Sequence, residues 1–407
     1  AGVIGLSVAY YCAQRGHRVT VIERHPQERS GCSFGNMGMI VPSHFIPLAA
    51  PGMVALGLKW MWNPESPFYI KPRLNWDLLT WGMRFWSAAN RQHVERSAPL
   101  LRDLSFASRA AFEELEAAGL DFGLEKKGLL MLCKTEHALK EEAHVAEQAK
   151  ELGIPADVLD AKQLATLEPG VEMSACGGVY FPKDCHLQPE RFVAALEERI
   201  VSGGGEILWD TEVRGWRRES GRLAAVKTSR GEIEADEFVL CGGSWSPEMV
   251  KDLGLRLPMQ AGKGYSLTLA EPRQKPQICS ILTEARVAVT PMGKTLRFGG
   301  TMEIAGCNET ISPRRVRGII RAATEYYPAF SEEDFKDTTP WSGLRPCSPD
   351  GLPYLGRTNA AANLSIATGH AMMGLSLAPI TGQLIAQMIS GERSSIDTAL
   401  LSPDRYA

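Results

Sequence analysis

Gly2 and Gly5 stand at the spacing of the last two glycines of a G-x-G-x-x-G pattern, and Glu23 follows about 20 residues later. In such a pattern one glycine lets the backbone approach a pyrophosphate, and the next lets a helix pack closely on a strand. The helix start offers unpaired N–H groups and about half a positive charge to the phosphates. A carboxylate closing the following strand accepts ribose hydroxyls and repels a 2′-phosphate. Two glycines three apart also begin ordinary helices, so Glu23 gives the pattern its weight. The pattern's first glycine, and the strand leading into it, would precede residue 1.

A second stretch, Ala367-Thr-Gly-His-Ala-Met-Met-Gly-Leu-Ser-Leu-Ala-Pro-Ile-Thr-Gly382, leads from a strand at 364–367 into a helix running to Ile389. Its polar, Gly-rich start suits a ligand that develops negative charge. A reduced flavin does so near N1 and O2, whereas a nicotinamide nucleotide needs no second helix start. A loop that merely packs tightly is the plain alternative. Two helix starts, one from each end of the chain, favour a flavin.

The elements that must position these groups alternate in type. Residues 1–16 read as a helix stopped by Gly16, and 18–23 as a buried strand. A helix at 189–201 ends in Gly203-Gly204-Gly205. Strands at 206–209, 213–218, 223–229, 232–235 and 237–241 follow, as a small meander set into a parallel sheet. A strand at 128–133 precedes an amphipathic helix at 136–152, stopped by Gly153. Strands at 265–269, 286–290 and 295–298 come before a helix at 313–327. Residues 45–91 hold five of the nine tryptophans: Trp60, Trp62, Trp76, Trp81 and Trp86. Such a stretch fills a core or lies on a membrane surface.

At 407 residues the chain exceeds the ~250–300 at which single cores split, so two domains are expected. A net charge of −3 and the lack of a Lys/Arg cluster exclude a nucleic-acid partner. None of the nine cysteines forms a C-x-x-C pair, so no metal site is expected. Free thiols point to a reducing compartment, the cytoplasm. The first residues do not read as a signal peptide, and no apolar run is long enough to span a bilayer.

Taken together, several stretches resemble the D-amino acid oxidase-like FAD-dependent oxidoreductases, and among them the bacterial D-amino acid dehydrogenases. They are Gly2-Val-Ile-Gly5 with Glu23, Gly31-Cys-Ser-Phe-Gly-Asn-Met-Gly-Met-Ile40, Pro47-Leu-Ala-Ala-Pro-Gly52, Cys241-Gly-Gly-Ser-Trp-Ser246, Lys263-Gly-Tyr-Ser266, Gly343-Leu-Arg-Pro-Cys-Ser-Pro-Asp-Gly351 and the Gly369-His370 tail. Each is weak alone; their order over nearly the whole chain is specific.

The resemblance implies an α/β (α+β) fold, a Rossmann-like FAD-binding domain interleaved with a substrate domain built on an antiparallel sheet. Residues 1–44, 92–124, 172–249 and 338–407 would form the first, and 45–91, 125–171 and 250–337 the second. It implies hydride transfer from the substrate α-carbon to flavin N5, with no general base needed if the amine binds unprotonated. Electrons would pass to a quinone or another acceptor. A D-hydroxyproline or D-proline dehydrogenase is a close alternative, because Asp184-Cys-His-Leu-Gln-Pro-Glu-Arg191 resembles proline-directed members. A glycine- or sarcosine-type oxidase and a flavin-binding subunit of a hetero-oligomer remain open.

Arg345 is the expected partner of the substrate carboxylate, because a planar guanidinium grips a carboxylate with two prongs. Tyr265 would donate its hydroxyl to the same carboxylate or close the pocket; a strand aromatic packed in the core is the ordinary alternative. The implied cofactor set is Gly2, Val3, Ile4, Gly5, Glu23, Arg24, Ser33, Asn36, Met37, Gly38, Val213, Gly242, Gly243, Trp245, Gly369, His370, Met373, Gly374, Leu375 and Ser376. Val213 would act through its backbone. Cys347 lies closer to the Pro-Asp pair than the cysteines that carry covalent flavin, so noncovalent FAD is expected. His44 and His186 are left unassigned. The small amino or imino acid is the expected partner, with peripheral contact on the inner membrane face open.

Overall fold

The computed structural model describes residues 1–61, 66–73 and 75–407; Trp62 of the Trp-rich stretch lies outside them. The helix Val3–Ala13 is apolar nearly all round and buried along most of its length, as a helix enclosed on every side must be. It packs against Ala378–Ile389, where a β-carbon on Gly382 would stand 2.6 Å from the Ser7 carbonyl oxygen. Thr20–Ile22 pairs in parallel with Glu206–Leu208, and Phe238–Leu240 in parallel with Ala361–Thr368. These are the parallel elements expected of a nucleotide-binding half.

The larger sheet runs in the order Trp341–Cys347, Gln260–Leu269, Thr295–Ile304, Val287–Met292, Cys279–Leu282, Leu129–Cys133, Gly177–Phe181, Asp157–Asp160. All its neighbours on this path are antiparallel except Cys279–Leu282 with Leu129–Cys133. Two strands assigned by sequence to the cofactor half, Gly177–Phe181 and Trp341–Cys347, belong to this sheet. Hydrogen-bonding edges, which composition does not reveal, place them there. The meander Val213–Glu219, Arg222–Thr228, Gly231–Glu234 is a separate three-stranded sheet rather than an insert in the parallel one. Among the described residues no helix is long and apolar enough to cross a membrane, and all nine cysteines are unpaired.

Candidate active site

The first residues after Gly2 set one wall of the site. A helix leaves its first N–H groups without partners, and here the Ile4 and Gly5 amides have no acceptor among the described residues. The Val3 amide donates to Ser33 Oγ at 2.9 Å, which leaves the Ser33 hydroxyl proton for an anion at the same place. Gly5 permits the close approach expected of it, since a β-carbon would stand 3.3 Å from that of Cys241. Glu23 accepts from the His25 amide at 2.9 Å and touches the Ala1 amino group. Arg29 holds the turn from outside, donating to the Ala1 carbonyl at 2.7 Å and pairing with Glu197.

The loop at residues 33–38 is pinned down by its carbonyls. Arg297 donates to those of Phe34 and Asn36 at 3.2 and 2.8 Å, Ser266 to that of Gly35 and Thr290 to that of Met37, both at 2.8 Å. Asn36 spends its own carboxamide inside the loop, on the Ser33 carbonyl and the Gly38 amide. With the carbonyls engaged by the sheet, the amides of Gly35, Asn36 and Met37 are left with no acceptor among the described residues. They border the same cavity as the helix start. Asn36 therefore has its backbone amide, not its side chain, to offer a ligand.

From the other end of the chain come His370, Met373, Gly374 and Leu375, all on the cavity wall. His370 is buried, its Nε2 3.0 Å from Thr381 Oγ1, and burial pushes its pKa down to about 3. The imidazole is therefore neutral and structural, as the commoner fate of such a residue predicts. The helix itself starts at Ala378, later than expected, after a short 3-10 turn at Ala371–Met373. Two expected contacts fall off the wall. Ser376 is buried and accepts from the Val41 amide at 3.0 Å. Gly369 turns at φ 80°, where a β-carbon would stand 2.8 Å from the Tyr354 ring. Both shape the turn without meeting the cavity.

Val213, Gly242, Gly243 and Trp245 line a further stretch, where the Arg24 guanidinium sits 3.9 Å from the Trp245 ring centroid. The cavity measures about 1600 Å³, beyond the ~300–1,000 Å³ of usual small-ligand sites. Its wall joins the carboxylate of Glu23, two groups of unpaired amides and an apolar remainder. These residues fit a flavin dinucleotide: Gly2–Gly5 and Ser33 for the diphosphate, Glu23 for ribose, and the 35–37 and 373–375 backbones for the ring system.

Arg345 lies across the cavity on Trp341–Cys347. It stands opposite Gly262 and over Gly264, where a β-carbon would be 2.3 Å from its guanidinium nitrogens. The guanidinium's one hydrogen bond among the described residues runs from Nη1 to the Thr301 carbonyl at 2.8 Å. The rest of the fork faces the cavity with donors to spare. Tyr265 borders the same cavity, but its side chain is engaged elsewhere. Successive strand residues face opposite sides, and Tyr265 points into the core beside Val316 and Ile319. Its hydroxyl donates to Glu303 at 2.5 Å, so that proton is not available to a carboxylate held by Arg345.

Arg297 and Arg29 were missed from the sequence. Arg297 had left a signal, an arginine amid the apolar strand Thr295–Ile304, since such residues are rarely buried unpaired. His44 lines the cavity and His186 does not.

A family model described as FAD dependent oxidoreductase matches residues 1–388. The chain is 31% identical to a D-amino acid dehydrogenase of Granulibacter bethesdensis over 414 residues, covering all of this chain and 98% of that one. In fold it is similar to glycine oxidase from Geobacillus kaustophilus, with a TM-score of 0.79 at 24% identity over 100% of this chain and 97% of the other. It is similar also to L-proline dehydrogenase from P. horikoshii, with a TM-score of 0.75 at 18% identity over 100% and 95%.

Proposed function

Because the chain belongs to the FAD-dependent oxidoreductase family, we propose that it oxidises the carbon–nitrogen bond of a small D-amino acid. Bound FAD supplies the two-electron acceptor. The observation that carries the reading is Arg345, a guanidinium fixed at one nitrogen by Thr301 and otherwise open to the cavity. A desolvated fork of this kind holds a free carboxylate in one orientation. The sheet strands around Gly262 and Gly264 leave room for it. Full-length relatives named D-amino acid dehydrogenase support the amino-acid class and the handedness. The segment at 184–191 adds little direct weight for a proline-type substrate, because Asp184 and His186 stand off the cavity wall.

The same reading gives electrons to a quinone at a membrane surface. The helix Trp76–Ala88 buries Trp81, whose Nε1 donates to the Cys347 carbonyl at 2.9 Å. Its outer face carries Trp76, Leu79, Met83 and Trp86 at 82%, 50%, 60% and 72% exposure. An apolar patch of this kind, with exposed Lys59, Lys71 and Arg91 in the neighbouring sequence, suits an anionic lipid surface.

Anaerobic titration of the purified yellow protein with amino-acid enantiomers tests the main reading. Bleaching of the flavin band by one or more D-amino acids, and not by their L-forms, is expected. Failure of every D-amino acid to bleach it overturns the proposal.

A further inference from the structure

Asp184, Ser43 and His44 form a hydrogen-bonded chain that ends on the cavity wall. The Ser43 amide donates to Asp184 Oδ1 at 3.1 Å and its hydroxyl to Oδ2 at 2.5 Å; the same hydroxyl oxygen lies 3.0 Å from His44 Nδ1. Asp184 and Ser43 are buried behind the wall, whereas His44 is half-buried and on it. His44 Nε2 has no hydrogen-bond partner among the described residues.

Three connections fix where this chain ends. Met39–Ile40 pairs with Cys185–His186, which brings Asp184 beside Ser43. The Val41 amide donates to Ser376, tying the segment to the turn that leads into Ala378–Ile389. From the large sheet, Arg286 approaches His44 between Cys279–Leu282 and Val287–Met292. His44 thus stands where the cofactor half meets the substrate sheet.

We propose that His44 Nε2 receives a proton from the substrate ammonium and that Ser43 relays it to Asp184. The inference rests on the amino-acid reading above. A free amino acid enters as the ammonium, and its nitrogen needs a lone pair before the α-carbon can give up hydride. In the relay the N–H bond of the substrate breaks as Nε2–H forms. The Nδ1 proton passes to the Ser43 oxygen, and the Ser43 hydroxyl proton passes to the Asp184 carboxylate. No electrons leave or enter, and the net result is a neutral amine and a protonated Asp184.

The energetics divide the roles. Burial, with Arg286 adding to it, holds the His44 pKa at about 4, so the imidazole alone is a weak base. Burial pushes Asp184 up to about 7, against the two Ser43 hydrogen bonds and the Arg109 charge. A carboxylate of that strength is a fitting terminus for a proton at neutral pH. Arg286 is the charged group facing His44. Arg109 faces Asp184, beside Cys185 and Cys279, whose thiols burial pushes far above neutrality. A buried serine–aspartate clamp alone explains the Asp184 bonds but leaves His44, on the cavity wall, without a role.

The test uses the flavin-loaded enzyme and 2-aminoisobutyrate, an amino acid with no α-hydrogen, with binding read from the flavin spectrum between pH 6 and 9. Wild-type affinity is expected to rise through about pH 7. In His44→Gln, and in Ser43→Ala with His44 intact, the rise is expected to move toward the pKa of the free ammonium. Affinity for a carboxylate lacking an amino group is expected to stay unchanged in both variants. Turnover of an oxidisable D-amino acid at pH 7 should fall about 10²-fold in kcat/KM. If His44→Gln loses its flavin, Ser43→Ala decides. Wild-type and variant affinities with the same pH dependence overturn the relay. Because this titration needs no turnover, it separates failure of the relay from failure of the oxidase reading.

Discussion

Arg345 donates at 2.8 Å to the carbonyl of Thr301, a residue held at φ 70° where the strands Gln260–Leu269 and Thr295–Ile304 slip register. The pairing passes from Lys263 with Glu303 to Tyr265 with Gly300, so Thr301 and Met302 share one opposing residue, Gly264. Bulges of this kind re-aim groups beside active sites. Here the bulge turns a backbone carbonyl toward the guanidinium and fixes its direction.

Removing the fork should therefore cost substrate binding without costing cofactor. For Arg345→Ala we expect kcat/KM for amino acids to fall by about 2–5 kcal/mol, roughly 30- to several-thousand-fold, with flavin retained. Gly264→Ala is the subtler probe, since its new methyl meets the far end of a flexible side chain. The fold should hold, while displacement of Arg345 lowers kcat/KM by up to about 10²-fold. Steady-state kinetics beside a flavin spectrum check both. Unchanged KM in Arg345→Ala would remove the carboxylate role.

The loop at residues 33–38 depends on one side chain more than any other. Arg297 bonds two loop carbonyls, the Thr268 hydroxyl and Glu190 at once. Loss of a donor that satisfies buried acceptors costs about 1–3 kcal/mol. Arg297→Ala should accordingly weaken FAD binding by roughly 5- to 150-fold, measured by flavin release on dilution. Retention of FAD at wild-type affinity would show that the loop amides contribute little.

What the sequence disclosed and what it hid follow from the range of each interaction. The Gly2–Gly5 and Glu23 spacing, and Arg345 between Leu344 and Pro346, are local patterns, and the structure sets them all on one cavity. Tyr265 was hidden because its face depends on alternation through a bulged pair of strands distant in sequence. Ser376 was hidden because its partner is Val41, 335 residues away. The later start of the Ala378–Ile389 helix reflects a turn whose small residues read equally well as helix. Arg297 showed only as an arginine amid an apolar strand, because the loop groups it holds are backbone carbonyls, which carry no residue-type signal.

Buried imidazoles make the fold acid-sensitive. Burial holds His186 near pKa 4, with the Lys127 charge adding to it, and His370 near 3, against about 6.5 in the unfolded chain. A depressed pKa contributes stability that is complete above 6.5 and is lost as pH falls toward the folded value. Each should cost roughly 2 kcal/mol by pH 5. Asp184 works the other way: raised to about 7 from 3.8, its contribution is full below 3.8 and lost as pH rises through 7. His44, also held near 4 by burial, joins His186 and His370, and three histidines against the Asp184 carboxyl give a net fall in stability between pH 6.5 and 5. Thermal melts across that range should show it, and His370→Gln should flatten the slope. A melting temperature independent of pH there would contradict the neutral-imidazole assignment.

The helix Trp76–Ala88 offers the last test, because the proposed membrane contact uses only one of its two faces. Trp81 and the partly buried Leu78 and Phe85 hold the inner face against the strand that carries Arg345. Trp76, Leu79, Met83 and Trp86 stand largely outward. Replacing Leu79 and Met83 by Gln, and Trp76 and Trp86 by Ser, removes apolar area only from the outer face, so the melting temperature should stay within a few degrees. Turnover with a soluble artificial acceptor should be unchanged. Co-sedimentation with vesicles containing anionic lipid should fall by at least about tenfold, since each buried aromatic or aliphatic side chain contributes roughly 1.5–3 kcal/mol. Added salt should weaken the wild-type association through Lys59, Lys71 and Arg91. Equal vesicle binding by the wild type and the fourfold variant would assign this face to something other than lipid.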